Sequence, residues 1–196
     1  MPHYVSRDDY FEAAIAILSE VGYKGLKMTA LHQRLGVTSG SFYNYFRNWP
    51  DFVAQFLEHW GGRTDRIAEL AAAPGDPLDR LELLRKLART VPHDAEAAIR
   101  VWSTIDPAVA AIQRDVDRRR LTLIRGAVAE IVGADADIDG LARFCLALVV
   151  GTQQLGSPVD VEMLDDHLER FIRMVMGGGG GAAHPPPSRP AGPRGR

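Results

Sequence analysis

A single cysteine, Cys145, stands in 196 residues, which excludes an internal disulfide and any metal site built from several thiolates. No apolar run reaches the roughly 20 residues that a membrane-spanning helix needs, so no membrane partner is expected. The opening residues, Met1-Pro2-His3-Tyr4-Val5-Ser6-Arg7-Asp8-Asp9, lack the apolar core of a secretory signal, and the expected compartment is the cytoplasm. No segment alternates apolar and polar residues for long enough to make a convincing strand. There is no nucleophile motif and no glycine-rich phosphate loop after a strand, and the six histidines are scattered. No catalytic set, metal or cofactor is expected, and the chain does not read as an enzyme.

An excess of positive charge is missing too, since the formal net charge is -2. That sum hides a division. Residues 1–50 carry Arg7, Lys24, Lys27, Arg34 and Arg47 against Asp8, Asp9, Glu12 and Glu20, a net of +1. Residues 51–176 carry fifteen Lys and Arg against twenty-one Asp and Glu, a net of -6, and the remainder adds three arginines. A surface that meets phosphates therefore belongs to the first quarter of the chain. Its weak charge calls for local placement of Lys27, Arg34 and Arg47, and for two copies.

What the chain does have is helical spacing. Ser6 followed by Asp9 is a capping-box-like start for a helix from about residue 7 to 21, with Phe11, Ala14, Ile15 and Leu18 as its buried stripe and Gly22 at its end. Met28, Leu31 and Leu35 space a second helix. Asn48 caps another at Trp49-Pro50-Asp51, whose apolar face is Phe52, Phe56, Leu57 and Trp60. Further helices are expected at about 78–88, 95–105, 108–131, 138–155 and 161–176. The run Arg118-Arg119-Arg120 reads as a solvated helix face. Residues 177–196, rich in Gly, Pro and Arg, offer too little apolar surface for a core and are expected to be disordered. The fold class is all-α.

The most informative stretch is Gly36-Val37-Thr38-Ser39-Gly40-Ser41-Phe42-Tyr43-Asn44-Tyr45-Phe46. Gly36 supplies the left-handed residue that ends a helix sharply. Thr38 is placed to cap the next helix, in which Phe42 and Phe46, four apart, point one way. Ser39, Ser41, Tyr43, Asn44 and Tyr45 are left on the other faces. This is a helix-turn-helix over about 28–46 with a polar second helix, the element that enters a DNA major groove.

Gly22-Tyr23, then Leu35-Gly36-Val37-Thr38, then Gly40-Ser41-Phe42-Tyr43-Asn44-Tyr45-Phe46 follow in order near the N-terminus. Residues from about 5 to 58 thereby resemble the DNA-binding domain of TetR-type transcriptional regulators. The resemblance implies a three-helix helix-turn-helix head over 1–50, joined by a long helix to a C-terminal ligand-binding and dimerisation domain over 51–176. It implies a ligand-responsive repressor that binds a palindromic operator in double-stranded DNA as a homodimer.

Residue by residue, the resemblance gives Tyr43 and Tyr45 to phosphates, and Ser39, Ser41 and Asn44 to base edges or adjoining backbone. Gly40 falls where the family has a small residue, allowing close approach to a partner helix or to DNA. Lys27 takes the place of a capping Ser or Thr and brings a charge that can reach phosphate. Trp49 replaces a common Lys, with Arg47 near enough to substitute for it. His32 is expected to be structural.

In the body, the family's last two helices pack against their copies, which assigns Leu141, Phe144, Leu148, Leu164, Leu168, Phe171 and Ile172 to a dimer interface. His93, Trp102, Phe144 and Gln153 are the candidates for a pocket that takes an unknown small-molecule effector. The competing reading is an all-α enzyme or protein-binding module whose head helices are only structural.

Overall fold

Helix α1, Arg7–Val21, begins where Ser6 Oγ accepts from Asp9 N at 3.2 Å and Ser6 N donates to Asp9 Oδ2 at 2.7 Å. This reciprocal box satisfies two amides that have no partner inside the helix, and such caps contribute roughly 1 kcal/mol. The computed structural model describes residues 5–72, 75–133 and 136–178. Among these residues the regular elements are all helices, with no strand. Gly22, at φ 71°, turns the chain out of α1 into a short 3-10 turn, Tyr23–Gly25.

Helix α2, Met28–Leu35, ends at Gly36, whose φ of 65° is left-handed. Helix α3, Ser39–Tyr43, is only five residues long. Helix α4, Trp49–Ala71, is capped by Asn48, whose Oδ1 accepts from Asp51 N at 2.9 Å. At 1.5 Å per residue it spans about 34 Å.

The body follows one device repeatedly. Asp76 and Asp106 cap α5, Pro77–Ala88, and α7, Pro107–Ala129; in both, proline occupies the first turn, where its missing N–H does no harm. Asp137 caps α8, Ile138–Leu155, by accepting from Gly140 N at 2.8 Å. Helix α6 is His93–Ser103 and α9 is Val161–Gly178. No helix among the described residues is long and apolar enough to cross a membrane. Most of the tail expected to be disordered, 179–196, lies outside the described residues.

Two apolar cores result. The first joins Phe11, Leu31, Phe42, Phe46, Phe52 and Phe56 to Ala95 and Ile99 of α6 and Val116 of α7. It crosses residue 50 without a break, because the first turns of α4 complete the head. Helix α6 lies along α1, so the head rests on two body elements. The second core gathers Leu81, Val128, Cys145, Leu164, Leu168, Phe171 and Val175 from α5, α7, α8 and α9.

Candidate functional site

A five-residue helix cannot hold its shape alone, since propagation adds too few hydrogen bonds to offset nucleation. Aromatic packing supplies what α3 lacks. The Tyr10 ring stands edge-on to Phe42 at 5.8 Å and to Phe46 at 5.5 Å, and Phe46 meets Phe52 at 5.0 Å. Phe42 and Phe46 are fully buried. Two hydroxyls complete the anchorage: Tyr10 donates to Ser41 Oγ at 3.1 Å, and Tyr45 donates to the Val5 carbonyl at 2.8 Å.

The residues expected to face DNA, together with Thr38 at the start of α3, therefore separate into three groups. Lys27, Thr38, Ser39, Gly40, Tyr43 and Asn44 are exposed on the outside of the two helices, with Tyr43 58% exposed. Ser41 and Tyr45 are half-buried and their hydroxyls are engaged, Ser41 Oγ with Tyr10 of α1 and the Tyr45 hydroxyl with the Val5 carbonyl just before α1. The Tyr45 proton already has a carbonyl acceptor, which corrects its expected role as a phosphate donor. Arg47 is exposed yet tied back to Asp51: its N donates to Oδ2 at 2.8 Å and its Nη2 to Oδ1 at 3.0 Å. Hydrogen bonds from Arg47 hold the Asp51 carboxyl below its ordinary range.

Arg34 is likewise paired, with Glu20. Lys27 has no ion pair among the described residues. Thr38 occupies the N-cap of α3 without a side-chain cap bond, so the expected cap does not form and its hydroxyl remains outward. A Cβ on Gly40 would meet only Thr38 Oγ1, at 3.8 Å. The close approach to a partner helix expected of Gly40 is absent; its smallness matters only on the outer side. His32 packs edge-on to Phe42 at 6.0 Å, a structural position as expected.

Residues 11–53 match the family described as bacterial regulatory proteins, tetR family. The match spans the helix-turn-helix and the start of α4. It is 30% identical over 86 residues to the transcriptional regulator AcuR of Cereibacter sphaeroides, a match covering 43% of this chain and 39% of AcuR. A transcriptional regulator from Rhodococcus sp. Rha1 superposes with a TM-score of 0.73 at 22% identity, over 89% of this chain and 97% of that one. A TetR transcription regulator from Haloarcula marismortui gives 0.71 at 19% identity, over 86% and 96%. A regulator from Saccharomonospora viridis, in complex with choline, gives 0.70 at 21% identity, over 85% and 95%. At these identities the three structures establish the fold, a helix-turn-helix head on a helical C-terminal domain.

In the body, a cavity of about 130 Å³ lies between α4, α5, α7, α8 and α9, with His93 of α6 at its edge. Of the four residues expected to line a pocket, His93 and Gln153 do so. Trp102 and Phe144 do not: Trp102 packs against the head core, and Phe144 is 48% exposed on the outer face of α8. Gln153 Nε2 lies 3.0 Å from His93 Nδ1, and His93 Nε2 lies 2.9 Å from the Ala88 carbonyl. Burial lowers the His93 pKa, outweighing the opposing Ala88 hydrogen bond and favouring the neutral ring. Burial also pushes the Cys145 thiol on the cavity wall up to about 12, so it behaves there as an apolar group.

Sequence reading missed the neighbouring polar cluster. Arg120 is not solvated: its Nη1 and Nη2 each bind Glu96 at 2.8 Å, and Trp60 Nε1 donates to Glu96 Oε1 at 2.7 Å. Glu96 is 3% exposed. The signal was there in the spacing, because Arg120 lies midway between Val116 and Ile124 on the apolar stripe of α7. The interface residues need correction as well. Leu164, Leu168, Phe171 and Ile172 are buried in the chain's own second core, because the apolar face of α9 turns inward onto α5, α7 and α8. Leu141 and Leu148 are half-buried, and Phe144 on α8 and Met174 and Met176 on α9 are exposed.

Proposed function

We propose that this chain is a TetR-type, ligand-responsive repressor that binds a near-palindromic DNA operator as a homodimer. The observation that carries the reading is the outward row of Thr38, Ser39, Gly40, Tyr43 and Asn44 on a helix whose inner residues are locked into an aromatic core. Rigid placement is what reading a base edge requires, and exposed hydroxyls, an amide and Lys27 are the groups that do it. Asn44 can be bidentate to adenine, while the Tyr43 phenol and the Lys27 ammonium suit phosphate oxygens.

Two further features support the reading. The exposed apolar side chains Phe144, Met174 and Met176 on α8 and α9 suit a self-complementary surface, and a two-fold dimer reads a two-fold site. The body cavity suits a small-molecule effector, and the similar structure from Saccharomonospora viridis is in complex with a small molecule, choline. Helix α4 connects the two functions, with Phe52 and Phe56 in the head core and Thr64 and Ile67 on the cavity wall. An effector that favours one placement of α4 alters the separation of the two heads, which must meet major-groove faces roughly 34–36 Å apart. Such a regulator acts on DNA in the cytoplasm.

The test is a gel shift of the full chain with duplex from its own promoter region, beside a sedimentation measurement of mass. A shifted band whose mass corresponds to two chains per site supports the reading. A chain that ignores every duplex at low salt, where phosphate attraction is strongest, overturns it.

A further inference from the structure

The cavity is almost wholly apolar, yet one of its polar atoms has nothing to bind. Gln153 is 2% exposed, lines the cavity, and its Oε1 accepts no hydrogen bond among the described residues. The amide orientation follows from its neighbour. The Ala88 carbonyl can only accept, so His93 Nε2 must carry the proton that lies 2.9 Å from it. A neutral ring then leaves Nδ1 bare, and Gln153 must offer its NH₂ there, at 3.0 Å. Oε1 is therefore the outward end of a fixed chain, Ala88 to His93 to Gln153. A buried acceptor left in this state carries a desolvation penalty that an incoming O–H or N–H removes.

The remaining wall excludes charge of either sign. Arg120 is committed to Glu96 through two contacts of 2.8 Å, and Arg85 to Glu82 at 3.0 Å and Asp165 at 2.7 Å. Neither guanidinium is left to neutralise an anionic ligand. A cation finds no carboxylate on the wall and, besides the committed His93 imidazole, only the Phe171 ring, too little for a cage around a quaternary ammonium. Volume sets the size: about 130 Å³ is near the roughly 150 Å³ of an engineered cavity that admits benzene.

We propose that the cavity binds a small neutral aromatic molecule carrying one hydroxyl donor, of the phenol class, with Gln153 Oε1 accepting from the hydroxyl. This deepens, and rests on, the reading of the cavity as the effector site. The experiment is calorimetric titration of the full chain, without DNA, using phenol, toluene and benzoate. Toluene matches phenol in shape but sets a methyl against Oε1, and benzoate brings the charge that the wall cannot pair. Phenol binding at least tenfold tighter than toluene, with benzoate weakest, is the expected result. In Gln153→Met, phenol affinity falls to that of toluene while toluene is unaffected.

Equal binding of phenol and toluene to the unaltered chain, tighter binding of benzoate, or no binding of phenol overturns the assignment. That comparison stands whether or not Gln153→Met folds. Operator affinity is measured separately, with and without phenol. Selective phenol binding that leaves operator affinity unchanged supports the ligand class and overturns only the effector role. A chain that binds operator but not phenol overturns the ligand class and leaves the DNA-binding reading intact.

Discussion

The two ring nitrogens of His93 are both committed, Nε2 to the Ala88 carbonyl at 2.9 Å and Nδ1 to the Gln153 amide at 3.0 Å. One buried imidazole thus ties the end of α5, the first turn of α6 and the last turn of α8 together at the cavity. Because α6 also lies along α1, the cavity has a second path to the head besides α4. Helix α6, like α4, therefore touches both the head and the cavity.

That arrangement has a pH signature. Burial, the largest influence on His93, lowers its pKa below 6.5; the Ala88 carbonyl, Glu96 and Asp94 act against this, and Arg120 acts with it. A depressed histidine leaves the unfolded chain binding a proton that the folded chain refuses. Its stabilising contribution is complete above about pH 6.5 and is lost as the pH falls through the folded value. The midpoint of urea unfolding should therefore fall between pH 7.5 and 5.5. The fall should be smaller in His93→Gln, with the remainder due to His59, which burial also lowers. An identical fall in His93→Gln would show that this ring does not carry the effect.

DNA binding should separate two exposed positions at the end of α3. Tyr43→Phe is expected to weaken binding about tenfold on every duplex, and Asn44→Ala to change which bases are preferred. Competition gel shifts against a randomised half-site read both. Neither substitution should move the melting temperature, since both side chains are exposed.

Tyr45→Phe and Tyr10→Phe should behave in the opposite way. Each removes a hydrogen bond that pins α3, to Val5 or to Ser41, and each should lower stability by roughly 1 kcal/mol. Chemical denaturation measures this. A loss of affinity in Tyr45→Phe with unchanged stability would return Tyr45 to the phosphate surface.

The buried ion pair gives a sharper contrast. Arg120→Met leaves the Glu96 carboxylate, 3% exposed, with only Trp60 Nε1 as a donor, and should destabilise the chain by about 3–5 kcal/mol. Adding Glu96→Gln should recover a large part of the loss, because a neutral amide no longer needs the partner. A double variant as unstable as the single one would mean that packing of the Arg120 stem dominates.

Oligomerisation is expected to depend on Phe144 and not on Leu164. Phe144→Asp should shift the sedimenting species to a single chain with little change in the chain's own stability. Leu164→Ala, at a fully buried site, should lose about 2–5 kcal/mol of stability.

How much of this was legible in the sequence differs between head and body. In the head, Ser6 with Asp9, Gly36 and Asn48 are local signals: capping and left-handed turns involve neighbours three or four residues apart, so residue order decides them. The spacing of Phe42 and Phe46 likewise dictates which side of α3 faces inward, and with it the outward row from Thr38 to Asn44. The direction of a hydroxyl on α3 was beyond that reach, because the partners of Ser41 and Tyr45 lie 31 and 40 residues away.

In the body, periodicity located the helices but not what each face meets. An apolar stripe such as Leu164-Leu168-Phe171 satisfies a copy and an intrachain core equally well. Only the packing of α9 onto α5, α7 and α8 settled the matter. The same applies to Arg120, whose place on a buried stripe makes sense once Glu96 stands opposite, and to Gln153, whose unpartnered oxygen exists only because His93 arrives from 60 residues away. Short-range hydrogen bonding and helical period are written residue by residue. Which distant groups share a cavity is decided by how the helices pack, and that is a property of the tertiary structure alone.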